Sequence, residues 1–488
     1  MNQVTRREFV KTGVSVLGAI AAGCAGSGSS PTPPPNNTLV FPQGFLWGAS
    51  TSAYQIEGGW NADGKGPSIW DTFVHSTPSP IANGDTGDVA CDDYHLYQQD
   101  VALAQSLNLK SYRFSISWPR VLPTGSGAVN QAGLSFYSRL TDQLLAAGIR
   151  PLPTLFHWDL PQALSDLGGW TSRDTAQRFA DYAALMVGAL GDRISTWLIF
   201  NEPMWFTLLG YWTGSNAPGL ANDFTRYIST THIANIAQGQ AFQAMKAANG
   251  NLRISSACSL TPVEPLTSSA ADQDAAARLD ALLNLWWIEP ALKGQYPDAF
   301  RPFPSAQMGV QPGDMDLIHA PFDFLGINCY SRAIAWSQSP GVWDLPGFEV
   351  GYGGGTSGVQ TDNGWEVWPD ALHDILASMY SRYSLPMEVT ENGCAYNDAP
   401  NASGAIVDQR RIDFYSGYIA ALHRAIAEGV DVRGYHAWSL MDNFEWLDGF
   451  SMRFGLTYVD FTNPARTRTV KSSGNWYAQL AASNSLTT

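Results

Sequence analysis

Two glutamates stand where an apolar strand stops. In "TWLIFNEPMWF" (196–206) the run from Trp197 to Phe200 reads as a buried strand and ends on Asn201, Glu202 and a proline. In "LPMEVTENG" (385–393) Met387 to Thr390 lead into Glu391, Asn392 and Gly393. A carboxylate among aromatic neighbours is costly to keep charged unless it is paired. Taken singly, either glutamate reads equally well as half of a structural ion pair with an arginine such as Arg113. Two of them at corresponding strand ends point to a pair. Paired carboxylates facing a cleft are what glycosidic-bond cleavage requires: one protonated, to donate to the leaving oxygen, and one ionised, to attack or to activate water. A gap of about 5–5.5 Å gives direct attack and retained configuration, and a wider one admits water and inverts it. The residue spacing leaves both open.

The elements that must bring these residues together follow from hydrophobic period. Apolar runs at 45–49, 110–116, 151–156, 196–200, 253–259, 322–327, 386–390 and 433–438 predict strands. Between them Tyr94, Tyr97, Val101 and Ala104 recur at helical spacing, as do Ile412, Tyr415, Ile419, Leu422 and Ile426 ahead of Gly429. Eight strands alternating with helices predict an α/β fold, a single (β/α)8 barrel with parallel pairing. Gln55, Arg113, His157, Glu202, Asn328, Tyr330, Glu391 and Trp438 all sit at or just past predicted strand ends. In a barrel those ends converge on one mouth, so residues far apart in sequence become neighbours. Segments 203–225, 329–365 and 440–470 would wall that mouth. The glycine-rich "GYGGGTSG" (351–358) lacks the ending of a phosphate loop and reads as wall.

Composition agrees with a large, well-packed enzyme. The 488 residues are 45% hydrophobic and 15% charged, which excludes global disorder. A net charge of −15 argues against nucleic acid as a partner and against an anionic substrate. Core and interface packing accounts for most of the 18 tryptophans, and a minority are expected to stack on a ligand. Cys91, Cys258, Cys329 and Cys394 are widely separated and in no metal-ligand spacing, so they read as free thiols; no metal or cofactor is expected.

The first residues read as an address. "TRREFVK" (5–11) resembles a bacterial twin-arginine export signal, and the apolar stretch 14–22 behind it is too short to span a bilayer. "AAGC" (21–24) and a Gly/Ser/Pro tether follow, dividing the chain into a signal at 1–24, a tether at 25–38 and one catalytic domain at 39–488. Cleavage after Gly23 would expose Cys24 to lipid modification and anchor the protein to a membrane. Cleavage after the Ala19–Ala21 pattern would release it to the periplasm. The spacer after the cysteine favours the anchor.

Six stretches in order, "FLWGASTSAYQIEGGW" (45–60), "YRFSISWPRVLP" (112–123), "LFHWDLPQAL" (155–164), "FNEP", "TENG" and "HAWSLMDNFEWLDGF" (436–450), resemble glycoside hydrolase family 1, the β-glucosidase family. The resemblance implies a retaining β-glycosidase acting on a small β-glycoside, with a covalent glycosyl-enzyme intermediate. It implies Glu202 as acid/base, Glu391 as nucleophile, and Arg113 and Tyr330 as the groups that hydrogen-bond the nucleophile. It places Asn201 at the sugar 2-hydroxyl, Gln55, His157, Trp158, Asn328, Glu445 and Trp446 around the sugar, Trp438 beneath it, and Trp365 on the aglycone wall.

Two departures matter. "GINCY" (326–330) has Cys329 where an aromatic is usual, which is expected to reshape the leaving-group side. Relatives that act on 6-phosphorylated sugars replace the glutamate of "NFEW" and add a nearby lysine. Here Glu445 stands and "SMRFGL" (451–456) has no lysine, so unphosphorylated sugar is expected. A non-catalytic sugar-binding barrel is the competing class, and such relatives typically lose one of the two glutamates. Glucose, galactose and fucose all stay open as the glycone.

Overall fold

All eight apolar runs form strands, and their hydrogen bonds close a ring. In this computed structural model residues 38–300, 305–355 and 358–487 are described. The barrel strands are β1 (Leu46–Ser50), β2 (Ser111–Ser115), β3 (Arg150–Phe156), β4 (Thr196–Asn201), β5 (Arg253–Ser259), β6 (Leu325–Asn328), β7 (Met387–Asn392) and β8 (Val432–Trp438). They pair in parallel in sequence order, and β8 closes on β1 through Gly434 opposite Leu46 and Trp438 opposite Ser50. The arginine pair, Cys24 and all of the tether except Thr38 lie outside the described residues.

Parallel neighbours need crossovers, and the longer helices supply them: α1 (Asp93–Ser106), α2 (Gln131–Ala146), α3 (Arg173–Leu190), α4 (Phe224–Ala248), α5 (Ala270–Asp280), α6 (Asp370–Tyr383) and α7 (Gln409–Ala427), with α8 (Ser472–Ser483) after the last strand. Both helices foreseen from periodicity are present. In α7 the buried residues Tyr415, Ile419 and Leu422 are among those foreseen, and Gly429 follows the helix end at φ +99°, a backbone that glycine adopts without strain. The strand foreseen at 322–327 instead runs Leu325–Asn328. Asp323 is the reason: its carboxylate accepts the Ile254 N–H at 2.8 Å and the Lys246 ammonium at 3.0 Å, tying the chain to β5 before ladder pairing begins.

Inside the barrel Leu152, Leu198, Ala257 and Phe324 form a small apolar plug. Below it the buried Glu388 accepts a forked pair of bonds from Arg150, at 2.9 and 2.5 Å. Outside β4 the rings of Phe200, Phe179 and Trp170 pack together, with Phe179 stacked on Phe200 at 4.9 Å. Each such aromatic pair contributes roughly 0.5–1.5 kcal/mol beyond its burial, which holds the strand carrying Glu202 rigid.

Both carboxylate-bearing strands are bulged just before the carboxylate. Across β4 and β5, Leu198 faces Ser255 but Asn201 faces Ala257, so three steps on one strand match two on the other. Across β7 and β6, Val389 faces Ile327 but Glu391 faces Asn328. A bulge inserts one residue and re-aims the next. Glu391 and the Asn201–Glu202 pair thereby reach the mouth.

Candidate active site

The Glu202 N–H still bonds the Ala257 carbonyl at 2.8 Å, but its own backbone turns left-handed at φ +46°, and Pro203 then starts a short helix, Pro203–Tyr211. Trp158 (φ +81°) and Trp446 (φ +46°) share this backbone region. A non-glycine residue held there costs of order 1–3 kcal/mol. All three line the same cavity at the C-terminal mouth, a space of ≈290 Å3. Two of the three are tryptophans, bulky residues for which this backbone is unusual, so strain is concentrated in side chains that wall the cavity.

Glu391 is clamped from two sides. Tyr330 donates its hydroxyl to Oε2 at 2.7 Å, and the buried Arg113 guanidinium donates to Oε1. Arg113 also bonds Thr154 Oγ1 at 3.1 Å, the Thr390 carbonyl at 3.3 Å and Asn201 Oδ1 at 2.7 Å. One guanidinium thus ties β2, β3, β4 and β7 together under the site. Glu202, 3% exposed, accepts from Asn328 Nδ2 at 3.1 Å. A neutral amide donor to one glutamate, and a single guanidinium N–H plus a phenol to the other, give the two unequal environments.

The orientation of His157 can be read from its neighbours. Asn201 Oδ1 accepts from Arg113 and, at 3.0 Å, from Asn328, so Asn201 Nδ2 is the group facing His157 Nε2 at 2.9 Å. Nε2 therefore accepts, and the proton sits on Nδ1. Burial, with the Arg113 charge adding, holds the imidazole well below its usual range, so it is neutral. Nδ1 has no hydrogen-bond partner among the described residues. A buried donor left over in a polar cavity is a group aimed at a ligand.

Aromatic rings build the floor and one wall. Trp158 stacks on Trp446 at 4.6 Å, and its Nε1 donates to the Asn201 carbonyl at 2.9 Å. His157 lies nearly parallel to Trp438 at 6.0 Å. Next to Trp158, burial pushes the Asp159 carboxyl up to about 8, Glu57 adding to the effect and Ser117 and Lys65 opposing it.

Of the residues picked out of the sequence, all but Arg113, Gln55 and Asn328 line this cavity. Arg113 and Asn328 act from beneath. Gln55 is fully buried, with Oε1 accepting from Ser52 at 2.6 Å and Nε2 donating to the Phe444 carbonyl at 2.9 Å and to Asn443 at 3.1 Å. At 3.5 Å it also reaches Glu445, whose loop it braces. Cys329 corrects an expectation. It is buried, lines neither this cavity nor its neighbour, and its thiol is raised by burial and by Asp374 of the outer helix α6. It faces away from the leaving-group side and does not shape it. All four described cysteines are free and buried. Phe454 was missed, although it stands in the quoted "SMRFGL".

A second cavity of ≈610 Å3 adjoins the first and shares Tyr330 and Trp365 with it. Trp205, Ser259, Thr261, Arg332, Tyr352 and Glu366 contribute to its lining. Thr261, Arg332 and Glu366 sit outside regular helices and strands, with no period to betray them. No cluster of three or more His, Cys, Asp or Glu residues able to hold a metal exists among the described residues.

An eight-stranded parallel barrel with two differently held carboxylates in an aromatic cavity defines a barrel of the sugar-cleaving kind. The chain belongs to glycosyl hydrolase family 1, which it matches over residues 37–486. It is 40% identical to beta-glucosidase A of Acetivibrio thermocellus over 91% of this chain and 99% of that one. It is 42% identical to a bifunctional beta-D-glucosidase/beta-D-fucosidase of Bifidobacterium breve, covering 92% of this chain and 99% of the relative. The solved family 1 β-glucosidase of Thermotoga maritima superposes with a TM-score of 0.87 at 38% identity, covering 92% of this chain and 99% of that one.

Proposed function

We propose that this protein is a retaining β-glucosidase that uses Glu391 as nucleophile and Glu202 as acid/base. The observation that carries the assignment is the asymmetry of the pair. Glu391 takes the Arg113 guanidinium on one oxygen and the Tyr330 hydroxyl on the other, which fix its orientation for attack. Glu202, at the same 3% exposure, accepts instead from the neutral Asn328 amide, an arrangement open to a proton donor.

In the first step a Glu391 oxygen attacks the anomeric carbon while Glu202 gives its proton to the departing oxygen. The bond to the leaving group breaks as the glycosyl ester forms, and Glu391 loses its charge. Glu202, now a carboxylate opposite a neutral ester, takes a proton from water. The water oxygen then attacks the anomeric carbon from the side the leaving group vacated, releasing sugar of retained configuration and restoring both glutamates. His157 Nδ1–H, the second N–H of Asn201 and the Glu445 carboxylate would bond sugar hydroxyls, and the Trp438 ring would meet the C–H face. No lysine or arginine lines the first cavity among the described residues, and Glu445 would repel a 6-phosphate, which favours unphosphorylated sugar. The second cavity takes the leaving group, with Trp365 as the shared wall.

An activated 2-deoxy-2-fluoro-β-glucoside should form the ester and slow its breakdown. Peptide mass mapping should then place one glycosyl group on Glu391. A label on another residue, or release of inverted sugar, would overturn the assignment. For location, the twin-arginine pattern and the spacer after Cys24 support an exported, lipid-anchored protein whose tether holds the barrel clear of the membrane.

A further inference from the structure

Where the two cavities meet, one arginine ties the loop after β5 to both ends of the long loop after β6. Arg332, shortly after β6, donates from Nε to Glu366 Oε2 at 3.0 Å and from Nη2 to Glu366 Oε1 at 3.2 Å. Its Nη1 bonds both oxygens of Glu264, at 3.2 and 3.1 Å. The guanidinium carbon lies 3.5 Å from the centroid of the Trp368 ring. Glu264 belongs to the loop after β5, in the short strand Val263–Pro265, which pairs with Ala333–Ser337 directly after Arg332. Glu366 and Trp368 belong to the turn that leads into α6.

The Glu264 arm is 44% exposed, but the Arg332–Glu366 pair is not an ordinary surface ion pair, which would contribute little. The Arg332 side chain is 14% exposed and that of Glu366 is fully buried. Planar fork-on-fork bonding also fixes direction, which a point charge cannot do. The neighbouring chain is fitted to the carboxylate: a Cβ on Gly355 would lie 2.1 Å from Glu366 Oε2, so only glycine lets the loop after β6 pack there. Ser331 Oγ adds a bond to the Glu366 carbonyl at 2.8 Å. Trp365 immediately precedes Glu366, and its ring meets Tyr330 edge-on at 5.1 Å and Phe454 at 5.9 Å. It is the partition between the cavities. On the glycone side Trp365 meets the Tyr330 that holds Glu391; on the other it faces the leaving group.

We propose that Arg332 is a positioning residue for leaving-group selectivity, clamping Glu264 and Glu366 so that Trp365 and the second cavity keep the shape a sugar leaving group needs. The proposal rests on the reading of the first cavity as the glycone site. Arg332 touches neither glutamate of the reacting pair, and breakdown of the glycosyl-enzyme takes place after the leaving group has gone. Its loss therefore falls on formation of the intermediate from substrates whose leaving group must be held.

The test compares cellobiose with 2,4-dinitrophenyl β-glucoside in wild type, Arg332→Met, Arg332→Lys and Glu264→Gln. The dinitrophenolate departs with little help, so its kcat reports breakdown of the glycosyl-enzyme. Arg332→Met should lower kcat/KM on cellobiose about 10- to 100-fold, mostly through KM, a size typical of misplaced positioning groups. Its kcat on the dinitrophenyl glucoside should stay within about twofold of wild type, since glycone chemistry is not touched. Lysine keeps the charge without the fork and should recover only part of the loss. Glu264→Gln weakens a single arm outside both cavities and should give a smaller loss with the same selectivity, which keeps the test decisive if Arg332→Met fails to fold. Equal losses on both substrates in the folded variants, or no loss on cellobiose, would overturn the proposal. Failure of wild type to cleave either substrate would instead overturn the glycosidase reading beneath it.

Discussion

Replacing His157 with phenylalanine removes one hydrogen bond to the sugar and one to Asn201. The ring is kept, so packing 6.0 Å from Trp438 survives, while both ring nitrogens are lost. Two costs follow. A sugar hydroxyl that would accept from Nδ1–H is left unpaired in a buried site, about 1–3 kcal/mol. Asn201 loses its 2.9 Å acceptor at Nε2, but Arg113 and Asn328 still hold its Oδ1, so this adds only the net worth of one bond, about 1 kcal/mol. Together they amount to roughly 2–4 kcal/mol, or about 30- to 1000-fold in kcat/KM on nitrophenyl β-glucoside. The donor can be matched to its hydroxyl by a double-mutant cycle with monodeoxy glucosides. On one of them the mutation should cost little more, with a coupling of about 1–3 kcal/mol, because bond and partner are already gone. Since burial keeps the imidazole neutral, no limb of the wild-type pH profile between pH 6 and 8 should disappear in the variant. Strictly additive losses on every monodeoxy substrate would refute the assigned tautomer and its role.

Glu391→Gly should abolish hydrolysis, and azide placed in the vacated space should yield an α-glucosyl azide by NMR; a β-product would sink the nucleophile assignment. Glu202→Ala should lose far more activity on cellobiose than on the dinitrophenyl glucoside, by at least about 100-fold in the ratio of kcat/KM, because only the poor leaving group needs the proton; equal losses would mean Glu202 is not the acid. Asp159, raised by burial from its ordinary 3.8 to about 8, contributes stability that is fully present below pH 4 and is lost as pH rises towards 8, at about 1.4 kcal/mol per unit across the window. Asp159→Asn should accordingly raise the thermal midpoint more at pH 8 than at pH 5, and an equal shift at both would show that the carboxyl titrates normally. Fractionation of cells making wild type and Cys24→Ser tests the anchor: wild type should be in membranes and the variant unprocessed or mislocalised, whereas equal recovery in the soluble periplasm would exclude lipidation.

Local pattern carries information wherever a residue's environment follows from its neighbours in the chain. The eight apolar runs, the helical spacing of α1 and α7, and the polar residues at strand ends were all legible, because a barrel needs buried parallel strands and converges their ends on one mouth. The motifs around Glu202 and Glu391 were legible for the same reason: each is a strand, a stop and a carboxylate. What depended on distant partners was not. The bulges in β4 and β7 are properties of a ladder between strands, and no composition marks the inserted residue. The proton on His157 Nδ1 follows from Arg113 and Asn328 turning the Asn201 amide, a relay across β2, β4 and β6. Gln55 and Asn328 stand out in their motifs, but the bonds their side chains make to neighbouring loops and strands, behind the cavity lining, were not legible there. Cys329 looked like part of the wall and faces the helix layer, because strand pleat and loop path, not position in a motif, decide which way a side chain points. The clamp of Arg332 on Glu264 and Glu366 joins the loop after β5 to two distant parts of the long loop after β6, so only the tertiary fold brings its charges within hydrogen-bond reach.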